Sequence, residues 1–203
     1  MGYSKFKKMA KVLSSFDLKT ETIDLFSDAT IHKTTPSLWL IESLDIAYLN
    51  PPTNEKSKSE RLVSPILLEV YKKYTKHFSF FSGESINIDA HKNLTGECDF
   101  IFSLNRPSVV IEAPIISLAE AKDEDMEWGL AQCAAQLYGA HLFNIQNKKN
   151  LPVLYGCSTT GTEWQFLKFE NNTFWIDRKP ITDLPQILGT WHYILQWYID
   201  NFT

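Results

Sequence analysis

Apolar residues change their spacing several times along the chain, and each change marks a different kind of element. Residues 6–16 read as a short basic helix, and residues 22–31 as irregular structure. Behind Pro36, an acceptable first-turn residue, Leu38, Leu40, Ile41, Leu44 and Ala47 lie on helical spacing. Asn50-Pro51-Pro52-Thr53-Asn54 ends that helix in a loop. Over residues 55–77 the helical period returns, with Ile66, Leu67, Val70, Tyr71 and Tyr74 opposite Arg61, Glu69, Lys72 and Lys73. Pro65 either kinks this helix or stands near its start.

The period then shifts to two. Residues 78–81, 85–90 and 97–104 are short alternating or apolar runs, divided by Ser82-Gly83 and by Asn93-Leu94-Thr95-Gly96. Residues 109–111 and 115–120 continue the sheet on either side of Pro114. Residues 125–143 are helical and crowded with Gly129, Ala131, Ala134, Ala135, Gly139 and Ala140, as in a helix packed closely on a sheet. Residues 153–157, 163–170 and 173–177 give three more strands. A closing helix at 184–202 carries Trp191, Tyr193, Trp197 and Tyr198, aromatics expected in the core, any exposed fraction offering a dimer surface. This order predicts an α/β fold with a mixed central sheet flanked by helices. One domain accounts for residues 1–203, an N-terminal extension over 1–54 preceding a core and closing helix over 55–203.

Composition narrows the setting. Hydrophobic content of 44% with 22% charged residues is that of an ordinary globular protein. Apolar runs stay well under the ~18 residues of a spanning helix, so no membrane partner is expected. Three cysteines at positions 98, 133 and 157, none in a C-x-x-C pair, argue against a disulfide framework and point to a reducing, cytoplasmic location. The net charge of −4 counts against bulk electrostatic attraction to nucleic acid. Lys56, Lys58, Arg61, Lys72, Lys73 and Lys76 are the best candidates for phosphate contacts, and Lys148 with Lys149 form a weaker second group.

The chemistry concentrates in two strands. In Gly96-Glu97-Cys98-Asp99-Phe100-Ile101-Phe102, alternation sets Asp99 against Cys98 and Phe100, fixing one carboxylate among apolar neighbours. Such a carboxylate needs a metal, a cation or several donors. In Glu120-Ala121-Lys122 the same alternation puts Glu120 and Lys122 on one face. If these strands are neighbours, two carboxylates and an ammonium converge, the set needed to hold Mg²⁺ or Mn²⁺ and hydrolyse a phosphodiester. The acidic run Asp123-Glu124-Asp125 with Glu127 reads as a helix N-terminus complementing the macrodipole.

Asp99 followed by Glu120-x-Lys122 on a second strand, with a helix before and after, resembles the PD-(D/E)XK, restriction-endonuclease-like superfamily of nucleases. The resemblance spans about residues 55–177. Ser59-Glu60-Arg61, Ser64-Pro65-Ile66-Leu67, Gly96-x-Cys98-Asp99-Phe100, Gly129-x-Ala131-Gln132-Cys133 and Tyr155-Gly156-x-x-Thr159-Thr160-Gly161-x-x-Trp164 are similar to small uncharacterised bacterial members. It implies a restriction-endonuclease-like core and a metal-dependent nuclease acting on nucleic acid, DNA first, with a homodimer the commonest assembly. It also implies Asp99, Glu120, Lys122 and Gln132 as catalytic, and Asp99, Glu120 and Glu69 as metal ligands. Gln136, one turn beyond Gln132, stands where RecB-like members carry tyrosine, and Asp99 follows Cys98 rather than proline. The alternative is a catalytically silent module of the same fold that binds protein or nucleic acid. On the nuclease reading, replacing Asp99 or Lys122 by alanine is expected to abolish cleavage with little change in melting temperature.

Overall fold

A computed structural model describes residues 2–27, 29–122 and 125–203. Within them the chain forms α1 (Met9–Phe16), β1 (Lys19–Ile23), α2 (Leu38–Leu49), α3 (Glu55–Lys58), α4 (Ser64–Tyr71), β2 (Ser79–Ser85), β3 (Glu97–Ser103), β4 (Ile115–Ala121), α5 (Met126–Gln146), β5 (Val153–Thr159), β6 (Trp164–Glu170), β7 (Thr173–Asp177) and α6 (Leu184–Phe202). A π-helical stretch, Ser59–Val63, joins α3 to α4, and Pro65 follows it at the start of α4, so its missing N–H falls where the helical register is already interrupted.

The seven strands form one mixed sheet in the order β1-β7-β6-β5-β4-β3-β2. β2, β3 and β4 run as an antiparallel meander, α5 crosses over, and β5 pairs parallel with β4. β6 and β7 continue antiparallel, and β1 closes the far edge parallel to β7. The expected mixed central sheet flanked by helices is therefore present.

The two faces are covered differently. Phe102 packs on both Tyr71 of α4 and Trp191 of α6, which places those helices on one face. α5 covers the other, and the small residues that crowd it have a direct use. A Cβ at Gly156 of β5 would lie 2.6 Å from Leu137 Cδ1 and 2.8 Å from Cys133 Sγ, so α5 sits where glycine alone leaves room. Trp191 and Tyr198 of α6 are fully buried, so those aromatics are core. Exposed apolar residues gather on α2 instead, at Leu38, Trp39, Ile41, Ile46, Tyr48 and Leu49.

Four local expectations differ from the structure. Ser82-Gly83, read as a divider between two strands, lies inside β2. Of residues 85–90, Ser85 ends β2 opposite Glu97 and Asp89 bridges Leu94, but no further strand forms, because Asp89 Oδ1 accepts from the His91 and Lys92 N–H groups and curls the chain into a turn. Val109 and Val110 are exposed in a loop between Pro107 and Pro114, and prolines cannot donate to a ladder. Within the stretch read as irregular, Thr22 and Ile23 belong to β1, whose sequence Lys-Thr-Glu-Thr-Ile has no apolar face to betray it. Among the described residues no helix is long and apolar enough to cross a membrane.

Candidate active site

The β3–β4 ladder ends at Phe100↔Ala119, and the side chains just beyond that pair make the site. Asp99 no longer pairs with β4 through its backbone. Its Oδ2 instead accepts a 2.7 Å hydrogen bond from the Ala121 N–H, which fixes the carboxylate beside the end of β4. β4 itself is held from the other side, where Glu120 and Ala121 pair with Ser158 and Thr159 and the Lys122 N–H donates to the Thr159 carbonyl at 2.8 Å. Between the β2–β3 pairs Ser82↔Phe100 and Glu84↔Cys98 stands Gly83, at φ 69°, so no β2 side chain covers Asp99.

Glu120 is 1% exposed and Lys122 5%, and they meet at 2.8 Å. Glu120 Oε2 also accepts 2.8 Å from Gln136 Nε2, itself buried on α5. Lys122 Nζ reaches Glu55 Oε1 at 3.1 Å and lies 5.4 Å from the centre of the Trp128 ring, over which Lys7 also stands, at 4.7 Å. Asp99, Glu120, Lys122, Gln132, Glu55 and Trp128 line one cavity of about 350 Å³, whose wall is completed by Gly2, Tyr3 and Ser4. A second cleft of about 340 Å³ opens on the Gly83 side of Asp99 and shares Glu55 and Glu97 with the first.

Burial sets the electrostatics. It pushes the Asp99 carboxyl up to about 6, against the opposing pull of the Ala121 N–H and the Lys122 ammonium. Glu120 is raised too, by burial first and by Asp99 second. For Lys122 burial works against the charge, but Glu120 and then Glu55 outweigh it and leave its pKa raised.

Between about pH 4 and 6 the folded chain holds an Asp99 proton that the unfolded chain has lost. Apo stability is therefore expected to fall as pH rises through that window, with Glu120 extending the trend upward. Cations bind the ionised form, so a Mg²⁺-induced rise in melting temperature should emerge as pH climbs past about 6. Melts with and without Mg²⁺ from pH 4 to 8 measure both, and a Mg²⁺ effect that is greatest at pH 4 contradicts the assignment.

The residues read from sequence divide as follows. Asp99, Glu120, Lys122 and Gln132 are brought together. Glu69 is not: its oxygens accept from the Ser37 N–H at 3.1 Å and the Ser37 hydroxyl at 2.9 Å, which ties α4 to the start of α2. At the opposite end of the same helical run, Glu55 stands beside Lys122. Glu55 opens α3 just after the Asn54 cap, and nothing in its own spacing marks it as a site residue. Of the acidic run, Asp125 caps α5 by accepting from the Trp128 N–H at 2.8 Å, while Asp123 and Glu124 lie outside the described residues. Among the phosphate-contact candidates, Lys56 faces Glu60, Lys72 faces Glu69, and Arg61 donates to the Ala47 carbonyl at 2.8 Å.

Gly129 is a tight steric point behind Lys122. A Cβ there would collide with Ser158 Oγ and lie 2.7 Å from Lys122 Cγ. Gly129→Ala is expected to lever α5 away from the lysine stem at a cost of about 1–3 kcal/mol, read as a lower urea midpoint. An unchanged midpoint would mean that the helix start yields freely.

Among the described residues no three His, Cys, Asp or Glu side chains are grouped to hold a metal ion. The oxygen set expected from sequence is present as two carboxylates, Asp99 and Glu120, and one amide, with Glu55 and Glu97 also in the lining. Gln132 Oε1 is buried without a hydrogen-bond donor, in the lining of the same cavity. Oxygen donors of this kind suit a hard divalent cation that keeps several waters. No protein-family model and no curated protein matches the chain.

Proposed function

We propose that the chain is a metal-dependent nuclease with a restriction-endonuclease-like core, acting on DNA. One observation carries this reading: Asp99, Glu120 and Lys122 line a single cavity although they lie on two strands. The strand order supports it, since helix, antiparallel meander, helix and parallel strand follow one another as the PD-(D/E)XK resemblance implies.

Asp99 and Glu120 would hold Mg²⁺ or Mn²⁺, with Gln132 Oε1 as a neutral third donor. Such an ion supplies Lewis acidity, lowering the pKa of a bound water and offsetting charge on the scissile phosphate. The residues of the chain do the positioning. The Ala121 N–H fixes one Asp99 oxygen, and Gln136 fixes one Glu120 oxygen. The Lys122 ammonium faces the cavity with hydrogen-bonding capacity to orient the attacking water, and its charge opposes the negative charge that builds on the phosphate.

A second reading draws on a different observation. Both Glu120 oxygens already have partners, Lys122 and Gln136, and Lys122 is shared between two carboxylates. A cluster satisfied in this way, with no group of three metal-ligating side chains among the described residues, suits a catalytically silent module that binds protein or nucleic acid. Incubation with supercoiled plasmid, linear duplex, single-stranded DNA and RNA, in Mg²⁺ or Mn²⁺, separates the two. Metal-dependent cleavage that Asp99→Asn removes supports the nuclease. Folded protein that cleaves none of the four supports the silent module.

A further inference from the structure

Lys76, from the first of the two lysine groups, meets the second group, Lys148 and Lys149, at the other end of the sheet. Lys76, His77, Arg106, Lys148 and Lys149 line a cavity of about 570 Å³ whose lining includes no Asp or Glu side chain. It lies where β4 begins, about 20 Å from Glu120 at the ~3.3 Å rise of a strand residue. In a chain of net charge −4 that concentration of cations needs a cause. Among the described residues, none of Lys76, Arg106, Lys148 and Lys149 is ion-paired. The carboxyl ends of α5 and α6 lie nearby, but a helix terminus offers only about half an elementary charge. Two such termini, even with a carboxylate at Thr203 in the same lining, leave the four permanent charges in excess.

The walls are held in place independently of any ligand. Buried Asn144 accepts from the Ile115 N–H at 2.8 Å and donates to the Ile115 carbonyl at 2.7 Å, locking the end of α5 to the start of β4. The Ser79 hydroxyl donates to the Arg106 carbonyl at 2.9 Å and accepts from the Ser108 N–H at 3.0 Å, pinning the loop that carries Arg106. Lys148 takes a left-handed conformation at φ 58°, and the Lys149 N–H donates to the Asn144 carbonyl at 2.9 Å.

The remaining lining is of a different character. Leu104, Leu151 and Phe202 are apolar, and Asn105 Oδ1 is a buried acceptor with no donor. Cations to take a phosphate, an apolar wall for a flat ring and an acceptor for an amino or hydroxyl group together describe one ligand class. We propose that this cleft is a nucleotide-binding site, taking a base against Leu104, Leu151 and Phe202 and a phosphate among Arg106, Lys148 and Lys149. The nucleotide comes either free or as the phosphorylated end of a strand. Its volume is that of an ordinary small-ligand pocket.

Equilibrium binding of ATP and of a 5′-phosphorylated single-stranded oligonucleotide to the full chain tests this, in EDTA so that Asp99 and Glu120 contribute no metal. The expected result is saturable binding of at least one probe that weakens about tenfold or more in the Lys148→Glu/Lys149→Glu variant, the effect of losing a charge-assisted contact. Both lysines are exposed, so the variant keeps its fold. Preference for ATP identifies a free nucleotide, and preference for the oligonucleotide identifies a strand end. Binding retained in Asp99→Asn separates this site from the proposed nuclease centre. The proposal is overturned if neither probe binds folded protein, if the double variant binds as the parent does, or if pyrophosphate binds as tightly as ATP.

Discussion

Asp99→Asn is expected to reduce cleavage by about a thousandfold or more while leaving the apo protein as stable as the parent or slightly more so. A thousandfold corresponds to roughly 4 kcal/mol of transition-state stabilisation, the scale for losing a charged ligand at a metal-assisted centre. The stability half follows from burial. Asp99 sits where its charge is disfavoured enough to raise its pKa to about 6, so an uncharged isostere removes a desolvation cost present at neutral pH. The amide oxygen can still accept the 2.7 Å bond from the Ala121 N–H. Plasmid cleavage and thermal melts, each with and without Mg²⁺, read both halves, and the Mg²⁺-induced rise in melting temperature should vanish with activity. Full cleavage by the variant removes Asp99 from the centre, and a collapse of apo stability makes it a structural carboxylate.

Lys122→Met is expected to behave in the opposite way in the absence of metal. It leaves Glu120, 1% exposed and with its pKa already raised by burial and then by Asp99, without the ammonium 2.8 Å away. Removing one partner of a buried ion pair costs about 3–5 kcal/mol. Glu120 can escape part of that cost by taking up a proton, so the loss should be larger at pH 8 than at pH 5. Lys122→Met/Glu120→Gln should recover much of the stability, because the fully buried Glu120 charge is then no longer stranded and Gln136 keeps a hydrogen-bond partner. Lys122→Met, Glu120→Gln and the double variant are all expected to lack cleavage. Urea unfolding at the two pH values measures the cycle, and additive single effects would show that the pair is not coupled in stability. The shared expectation of unchanged melting temperature, reasonable from sequence for Asp99 and Lys122 alike, thus splits once the pairing geometry is known.

What the sequence by itself determined is local. Period-two alternation in β3 and β4 set Asp99 among apolar neighbours and put Glu120 and Lys122 on one face, because that alternation is a property of a single strand. The density of small residues in α5 foretold its close approach to the sheet, which Gly129 and Gly156 make possible. The order of elements was readable for the same reason, since each periodicity is carried by consecutive residues.

The tertiary structure decided what depends on how elements dock. Glu55 and Glu69 open and end one helical run and lie about 21 Å apart at the ~1.5 Å rise of a helix residue, so only one can reach the site. Packing of α4 against the start of α2 assigned Glu69 to Ser37 and left Glu55 for Lys122. The π-helical stretch between them further breaks the helical register on which a sequence argument relies. Gly2, Tyr3 and Ser4 became cavity wall through the Tyr3 N–H bond to the Thr95 carbonyl, a contact across most of the first hundred residues that no local pattern announces. β1, polar but for Ile23 and placed at an edge by parallel pairing with β7, shows the same limit: its position is fixed by backbone hydrogen bonds, which leave no imprint on side-chain periodicity.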